Sequence, residues 1–451
     1  MYMRTKGRIR RATGLALVLG VLGLTACDLD DLLNVEDRDV VSPGTLDDPA
    51  VLPVVIAGAL GNFTNAFSGG ESYLSVSGVL TDEFYSSGTF PTRTATDRRE
   101  QFPAASGNTS DGTYTALQFA RRALHDAAIR VADIRSTSDP DYQTLKALEG
   151  YTIVLLAEGF CSAVPLSREE GGQFIDGAPN TGMQLLDSAL VRFDAAGSAN
   201  LAAVGRGRAL LDQGQYAAAA AAVASVPTDW EYLVVHSQAG SSNGIFTLQS
   251  NGRYAQSNLE GGNGEPFRVP EDPRAPWTQN PAGGFDATIA MYKSDKYNDY
   301  SDPVVLASGV EARLIEAEAA LQANQFGPMT TILNALRADV EDIMTDWVPT
   351  YSDVYGTPTL APLTAPGTAD AARDMLFSER AFWLYLTGHR LGDLRRLVYQ
   401  YGLAQNLVYP SGNYHKGGSY GPDVVFPLDF DEANNKLFTH DMCDVTSASI
   451  N

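Results

Sequence analysis

The stretch whose reading decides the fold is 200-NLAAVGRGRALLDQGQYAAAAAAVASVP-227. It predicts two helices joined at Gly214-Gln215-Tyr216, with Pro227 stopping the second. Gly207 and Ala219 are small where paired helices must approach, Gly214 makes the turn, and Tyr216 is an aromatic placed to wedge between them. A hairpin of this form carries no chemistry of its own and reads as scaffold.

A second unit, 312-ARLIEAEAALQANQFGPMTTILNALR-337, has the same form, with Ala317, Asn324, Phe326 and Leu333 in the corresponding places. Small, turn and aromatic residues at this spacing follow the tetratricopeptide-repeat pattern. In 114-YTALQFARRALHDAAIRVADIR-135, Leu117, Ala120, Leu124, Ala127, Ala128, Val131 and Ile134 recur at helical steps, and Arg121, Arg122, Asp126 and Arg130 take the other face. Asp141 is placed to cap a helix over 142–160, and 181–196 is a further helix candidate. Segments 61–113, 225–305 and 345–370 have a different texture, rich in Gly, Pro, Asn and Ser, with β-like pieces at 231-EYLVV-235 and 244-GIFTLQ-249. Loops this long are usually functional. The expectation is a mostly α single domain over 47–451. Tetratricopeptide-like helical pairs at about 114–227 and 306–340 carry long irregular insertions and a few short strands.

The N-terminus speaks to location. Residues 1–11 hold Arg4, Lys6, Arg8, Arg10 and Arg11 and no acid, and an apolar run, 12–26, follows. Basic region and short apolar run fit a secretory leader over 1–26. Leu24-Thr25-Ala26-Cys27 resembles the lipobox of bacterial lipoproteins, which makes Cys27 the lipidated residue. Residues 27–46 are acidic and proline-punctuated and read as a tether. No other apolar run was expected to reach the ~18 residues of a spanning helix. The whole sequence carries a net charge of −22, and loss of the basic leader makes the rest still more acidic. A nucleic-acid surface and attraction to anionic lipid are therefore not expected. Cys161 and Cys443 remain as an even pair in an exported chain, either a disulfide or two separate buried thiols.

Enzyme signatures are missing from the sequence: no nucleophile elbow, phosphate loop, dinucleotide fingerprint or zinc-binding helix motif. The five histidines are scattered, and no metal or cofactor is expected. Segment 294-SDKYNDYSD-302 is oxygen-rich but lacks EF-hand spacing, so it reads as a solvated loop. Aromatic and cationic side chains in the irregular segments are better candidates for ligand binding. These are Tyr85, Phe90 and Arg93, then Arg274 and Trp277, then Tyr292. Sugars have C–H faces that stack on rings and O–H edges that bond to planar polar groups. Each of these residues either faces such a ligand or packs its own loop onto the scaffold.

One further stretch, 376-LFSERAFWLYLTGHRLGDLRRL-397, looks catalytic at first sight. Its spacing puts Phe382, Leu386 and Leu394 on a buried face, Gly388 breaks or turns the helix, and Glu379, His389, Arg390 and Asp393 read as structural anchors. Glu379-Arg380, Gly388-His389-Arg390 and Asp393-Leu394 resemble a motif of the SusD/RagB family. Other pieces resemble that family in order: Leu33-Asn34-Val35 with Pro43, the 75-SVSGVLTDE-83 segment, 164-VPLS-167 after a helix, helix 310–321, and the tail 425-VFPLDFDEANNKL-437. Leu428-Asp429 departs from the family's second proline step, and Cys443 supports a tail disulfide. The acids after Cys27 resemble a surface-export signal of Bacteroidetes-type lipoproteins.

The resemblance implies a non-enzymatic, lipid-anchored outer-membrane protein. It would capture an oligosaccharide or peptide and deliver it to a SusC-like TonB-dependent transporter, over whose barrel it closes as a lid. Two other readings stay open: a helical-repeat lipoprotein that assembles proteins at the outer membrane, and a surface glycan hydrolase.

Overall fold

The computed structural model describes residues 48–102, 105–268, 272–348, 351 and 355–451; the leader, Cys27 and the acidic tether lie outside the described residues. Leu52–Asn451 form one unit. Helix α1 (Leu52–Phe67) and α2 (Tyr73–Leu80) open it, then strand β1 (Phe84–Ser86) and α3 (Pro91–Asp97). Much of the 61–113 region, expected to be irregular, is thus helical. Gly58 and Gly61 in α1 disfavour a helix on propensity alone. Burial of Leu52, Ala59, Phe63, Ala66 and Phe67 against α4 (Thr109–Ile134) outweighs them. Helix Pro49–Phe67 is also long and apolar enough to cross a membrane by length and composition, although no run after the leader was expected to be; its buried stripe lies in the protein core.

Helix α4 begins at a capping box in which Asn108 and Asp111 satisfy each other's end of the turn. Helix α5 (Pro140–Gly159) is capped by Asp139, whose side chain accepts from Asp141 N, and not by Asp141; Pro140 needs no partner at the first helical position. Short strands β2 (Val164–Pro165) and β5 (Pro179–Asn180) pair, and between them β3 (Arg168–Glu170) and β4 (Gln173–Ile175) form an exposed hairpin. Helices α6 (Gly182–Ala196) and α7 (Asn200–Asp212) pack on α5 around Phe193. A Cβ at Gly205 would stand 2.3 Å from the Phe193 ring, so only glycine allows that approach.

The quoted hairpin forms as read, α7 followed by α8 (Tyr216–Val223), with Gly214 at φ 73° in the turn. Helix α8 ends at Val223, before Pro227 is reached. After β6 (Glu231–Val234), the 244–249 piece expected to be β-like is helix α9 (Gly244–Ser250). Asn243 caps it by accepting from Phe246 N at 3.0 Å, a local bond that a strand cannot use. Strands β7 (Tyr254–Gln256), β8 (Trp277–Asn280), β9 (Met291–Ser294) and β10 (Val304–Ser308) follow. β10 pairs antiparallel with β6 and leads into the second helical pair, α10 (Gly309–Gln322) and α11 (Phe326–Ala338), whose turn holds Asn324 at φ 56°. A Cβ at Gly207 would stand 2.5 Å from Val223 Cγ1 and 3.2 Å from Ile315 Cδ1. The small residue read from the pattern therefore lets α7 touch both its own partner and the next pair.

Helices α12 (Val340–Trp347), α13 (Ala369–Trp383) and α14 (Arg390–Tyr399) complete the scaffold. The tail returns along α5: Phe426 N donates to Gly159 O at 2.8 Å, and Cys161 N to Phe426 O at 3.0 Å. The Cys161–Cys443 disulfide forms there, with a Cα–Cα distance of 5.3 Å. Arg395, 1% exposed, fills the same junction and has no carboxylate partner among the described residues. It donates to the carbonyls of Ala157, Glu158 and Phe160 at the end of α5 and of Ala448 and Ser449 in the tail. The α5 carbonyls are ones that a helix C-terminus leaves open, and a cation there suits the helix dipole.

Candidate ligand-binding face

The stretch that looks catalytic is a buried ionic seam. Leu386 (φ 52°) and Gly388 (φ 77°) turn the chain between α13 and α14. The turn places Arg380 against Asp393, with two bonds of 2.8 Å, and Arg396 against the same carboxylate at 2.6 Å. Arg396 also holds Glu318 of α10. Arg390 grips Asp82 through two bonds of 2.6 Å. Arg208 of α7 does the same with Glu158 of α5 and donates to Gly388 O at 2.8 Å. His389 Nε2 lies 3.1 Å from Glu311 and 3.0 Å from Arg208. Burial raises the Asp393 carboxyl, but Arg380 and Arg396 more than offset this and hold it well below the usual range. Glu379 accepts from Arg274 Nη1 at 2.7 Å, from Arg337 and from Trp383 Nε1 at 3.2 Å. Each group has at least one partner within the seam, and all these charges are buried or nearly so, although Arg380 Nη1, Glu311 Oε2 and Glu318 Oε2 make no hydrogen bond among the described residues.

Arg274, expected among the ligand contacts, therefore belongs to the seam. It is 3% exposed, and Asp272 and Glu379 take its donors. Tyr85 is also inside: its hydroxyl donates to Ala290 O at 2.7 Å, and its ring packs edge-on against His415. Arg93 is bound by Glu71 through bonds of 2.6 and 2.8 Å, and only the stack of its guanidinium on Phe90, 4.5 Å from the ring centre, reaches outward.

Of the remaining candidates, Trp277 and Tyr292 lie on strands and Phe90 precedes α3 as its N-cap. β1 pairs with β7, β8 pairs with β9, and β7 lies beside β9. Phe90 is 48% exposed, and Phe285, 56% exposed, lies in the same cluster because Arg253 stacks on both, at 4.9 and 3.5 Å. Arg253 Nη1 is itself buried and has no hydrogen-bond partner among the described residues. On β8 and β9, Trp277 and Tyr292 meet edge to face at 5.5 Å, and Arg268 stacks flat on Tyr292 at 3.5 Å. Both rings are half-buried. Tyr355 extends this cluster through Thr278 and Asp295.

A titratable patch adjoins these rings. Tyr414 donates to Asp97 at 2.7 Å, Ser86 N donates to the same carboxylate, and His415 lies 3.6 Å from Glu260. Burial pushes Asp97 up to about 7. Burial opposes a charge on His415, but Glu260 and Asp97 raise it above its ordinary value. Lys416, lowered by burial, donates to Gly88 O at 2.6 Å.

Segment 294–302 is only in part the solvated loop expected of it: Asn298, Asp299 and Ser301 are exposed, but its first residues are not. Lys296 is inside, bonded to Tyr385 O, and Tyr297 donates to Leu386 O at 2.9 Å. No group of three or more metal-ligating side chains occurs among the described residues. Arg253, Arg268, Phe285 and His415 were missed by sequence reasoning. Their only signal is position beside glycine-rich stretches such as 281-PAGGF-285 and 414-YHKGGS-419. Exposed rings with flat cations and amide or carboxylate edges suit a ligand with apolar faces and polar rims.

The fold is that of known structures. A SusD superfamily protein from Bacteroides fragilis superposes with a TM-score of 0.59 over 87% of this chain and 99% of its own, at 13% identity. A surface glycan-binding protein A from Bacteroides uniformis gives 0.58 over 84% and 97%, at 13% identity. A laminarin-binding SusD-like protein gives 0.54 over 87% and 98%, also at 13%. No family model matches the chain, and no curated protein matches it. The chain has the SusD-like fold: mostly helical, with helical pairs and a few short strands.

Proposed function

We propose that this chain is a non-enzymatic capture protein of the SusD/RagB family. Lipid on Cys27 holds it at the outer-membrane surface. It binds an oligosaccharide on the strand-borne face and passes it to a SusC-like TonB-dependent transporter. The observation that carries the reading is the pair of aromatic–cation clusters, Phe90–Arg253–Phe285 and Trp277–Tyr292–Arg268, on a fold whose similar structures include glycan-binding and laminarin-binding proteins. Stacking rings supply affinity for C–H faces, and flat guanidiniums and nearby carboxylates supply bonds to hydroxyl edges.

The test is calorimetric titration of the protein with oligosaccharide fragments and peptides, with product analysis of each mixture. Saturable binding of a saccharide without turnover is expected, together with recovery of a large barrel transporter when the lipoprotein is purified from membranes. Hydrolysis of the saccharide, or recovery with assembly factors alone, would defeat the reading.

A further inference from the structure

A second feature lies away from that face. Helix α4, the β3–β4 hairpin and the turn at 429–435 enclose a cleft of about 570 Å³, within the roughly 300–1,000 Å³ typical of ligand sites. Two phenylalanines line it from opposite elements, Phe119 on the helix and Phe174 on the hairpin, 68% and 73% exposed. Their exposure needs an explanation, because two large rings left in water beside a cleft mark contact surfaces.

The polar lining narrows what they contact. Tyr114 donates to Glu432 at 2.8 Å and Thr115 to Asp429 at 2.7 Å, so each carboxylate is already paired with a hydroxyl. Arg121 donates to Ser167 O at 2.6 Å and to Gln118, and Arg122 is held by Asp126 at 2.6 Å, while Arg168, its side chain 57% exposed, meets Glu170 at 3.2 Å on the surface. Glu169, Asp176, Asp429, Asp431 and Glu432 outnumber the three arginines of the lining, which disfavours an anionic phosphate or uronate. It does present carboxylate and amide edges of the kind that bond hydroxyls, with a ring on either side.

We propose that this cleft is a second binding site, for a neutral oligosaccharide stacked between Phe119 and Phe174 with its hydroxyls on Asp429 and Glu432. The ligand class rests on the carbohydrate reading above, but the location is independent of it.

The test uses the full-length chain, a panel of neutral glucan, mannan, galactan and xylan fragments, a uronate oligomer and a lysine-rich peptide. The readouts are calorimetric stoichiometry and ring-proton NMR of the individual aromatic residues. Neutral fragments should shift the Phe119 and Phe174 resonances. The double variant Phe119→Ala/Phe174→Ala should weaken that site by about tenfold or more and leave any shift at Trp277 intact. Both rings are largely exposed, so the variant should fold, and its thermal transition checks this. No shift at Phe119 and Phe174 with any neutral fragment overturns the inference, whatever the strand-borne face does. Preference of the cleft for the lysine peptide or the uronate overturns the ligand class. Shifts at Phe119 and Phe174 with none at Trp277 uphold the inference and defeat the placement of the first site.

Discussion

The seam under Gly388 and the strand-borne face around Trp277 both set arginines on aromatic rings, yet burial gives the same contact two different roles. In the seam, Arg274 lies 4.9 Å from the Trp383 ring and Arg396 5.3 Å from Phe377, and both also meet carboxylates in the core. On the face, Arg253 and Arg268 stack at 3.5 Å on Phe285 and Tyr292, beside solvent. A buried guanidinium must be paired, because an uncompensated charge in low dielectric costs several kcal/mol. Pairing uses up its donors and makes it part of the fold. A guanidinium near solvent carries no such obligation and keeps donors for a ligand.

The largest effect that could break this comparison is in the seam. Asp393→Ala leaves Arg380, with Glu318 no nearer than 3.8 Å, and removes one of Arg396's partners. A loss of about 3–5 kcal/mol is expected in chemical denaturation, with ligand affinity of the folded fraction unchanged. Arg390→Ala should act alike by stranding Asp82. Normal stability with lost binding would turn the seam into a site.

Legibility divides along the same line. The hairpin at 200–227 could be read because Gly207, Gly214 and Ala219 meet local demands, a close approach and a turn, which residue type alone reveals. Helices α1 and α2 could not, since their glycines and serines are overruled by burial that only the tertiary structure supplies. The seam's anchors in 376–397 were legible as a cluster, but Arg274 was not recognisable as their partner, because a contact with Glu379 spans 105 residues. Phe90, Trp277 and Tyr292 stood out as rings in polar loops. Arg253 and Phe285 did not, because the pairing of β1 with β7 and the turn at Gly252 bring them to Phe90.

Two intermediate effects sharpen the contrast. Cys443→Ser opens a bridge between residues 282 apart and frees the tail from α5. A loss of about 2–4 kcal/mol in denaturant stability is expected, again without change in binding.

Glu83 offers a test by pH. Its Oε1 accepts from Leu386 N at 2.7 Å, Oε2 has no hydrogen-bond partner among the described residues, and burial raises the carboxyl from 4.5 to about 7. Between those values the unfolded chain ionises while the folded protein keeps its proton, so this group makes stability fall as pH rises from about 4.5 to about 7. Nearby Lys296, lowered by burial from 10.5 to about 7, has the opposite sign and makes stability rise between those values. Glu83→Gln keeps the acceptor and removes the falling limb, a gain on the order of 3 kcal/mol at neutral pH relative to pH 4. A parallel pH profile in mutant and wild type would contradict the buried neutral acid.

The smallest stability effect should accompany the clearest functional one. Phe285→Ala removes a ring that is 56% exposed, so the cost in stability should stay within about 0.5 kcal/mol. If the ring is a stacking platform, saccharide affinity should fall by about 1–2 kcal/mol, roughly fivefold to thirtyfold in Kd. Arg268→Lys asks a narrower question. It keeps the positive charge but loses the flat guanidinium that lies 3.5 Å over Tyr292. Affinity that falls in the lysine variant as far as in Arg268→Ala identifies planar stacking and forked hydrogen bonding as the contribution. Affinity that survives in lysine identifies charge alone. In the seam the same Arg-to-Lys change at 380 would be read in the melting temperature, because there the fork grips Asp393 and no ligand takes part.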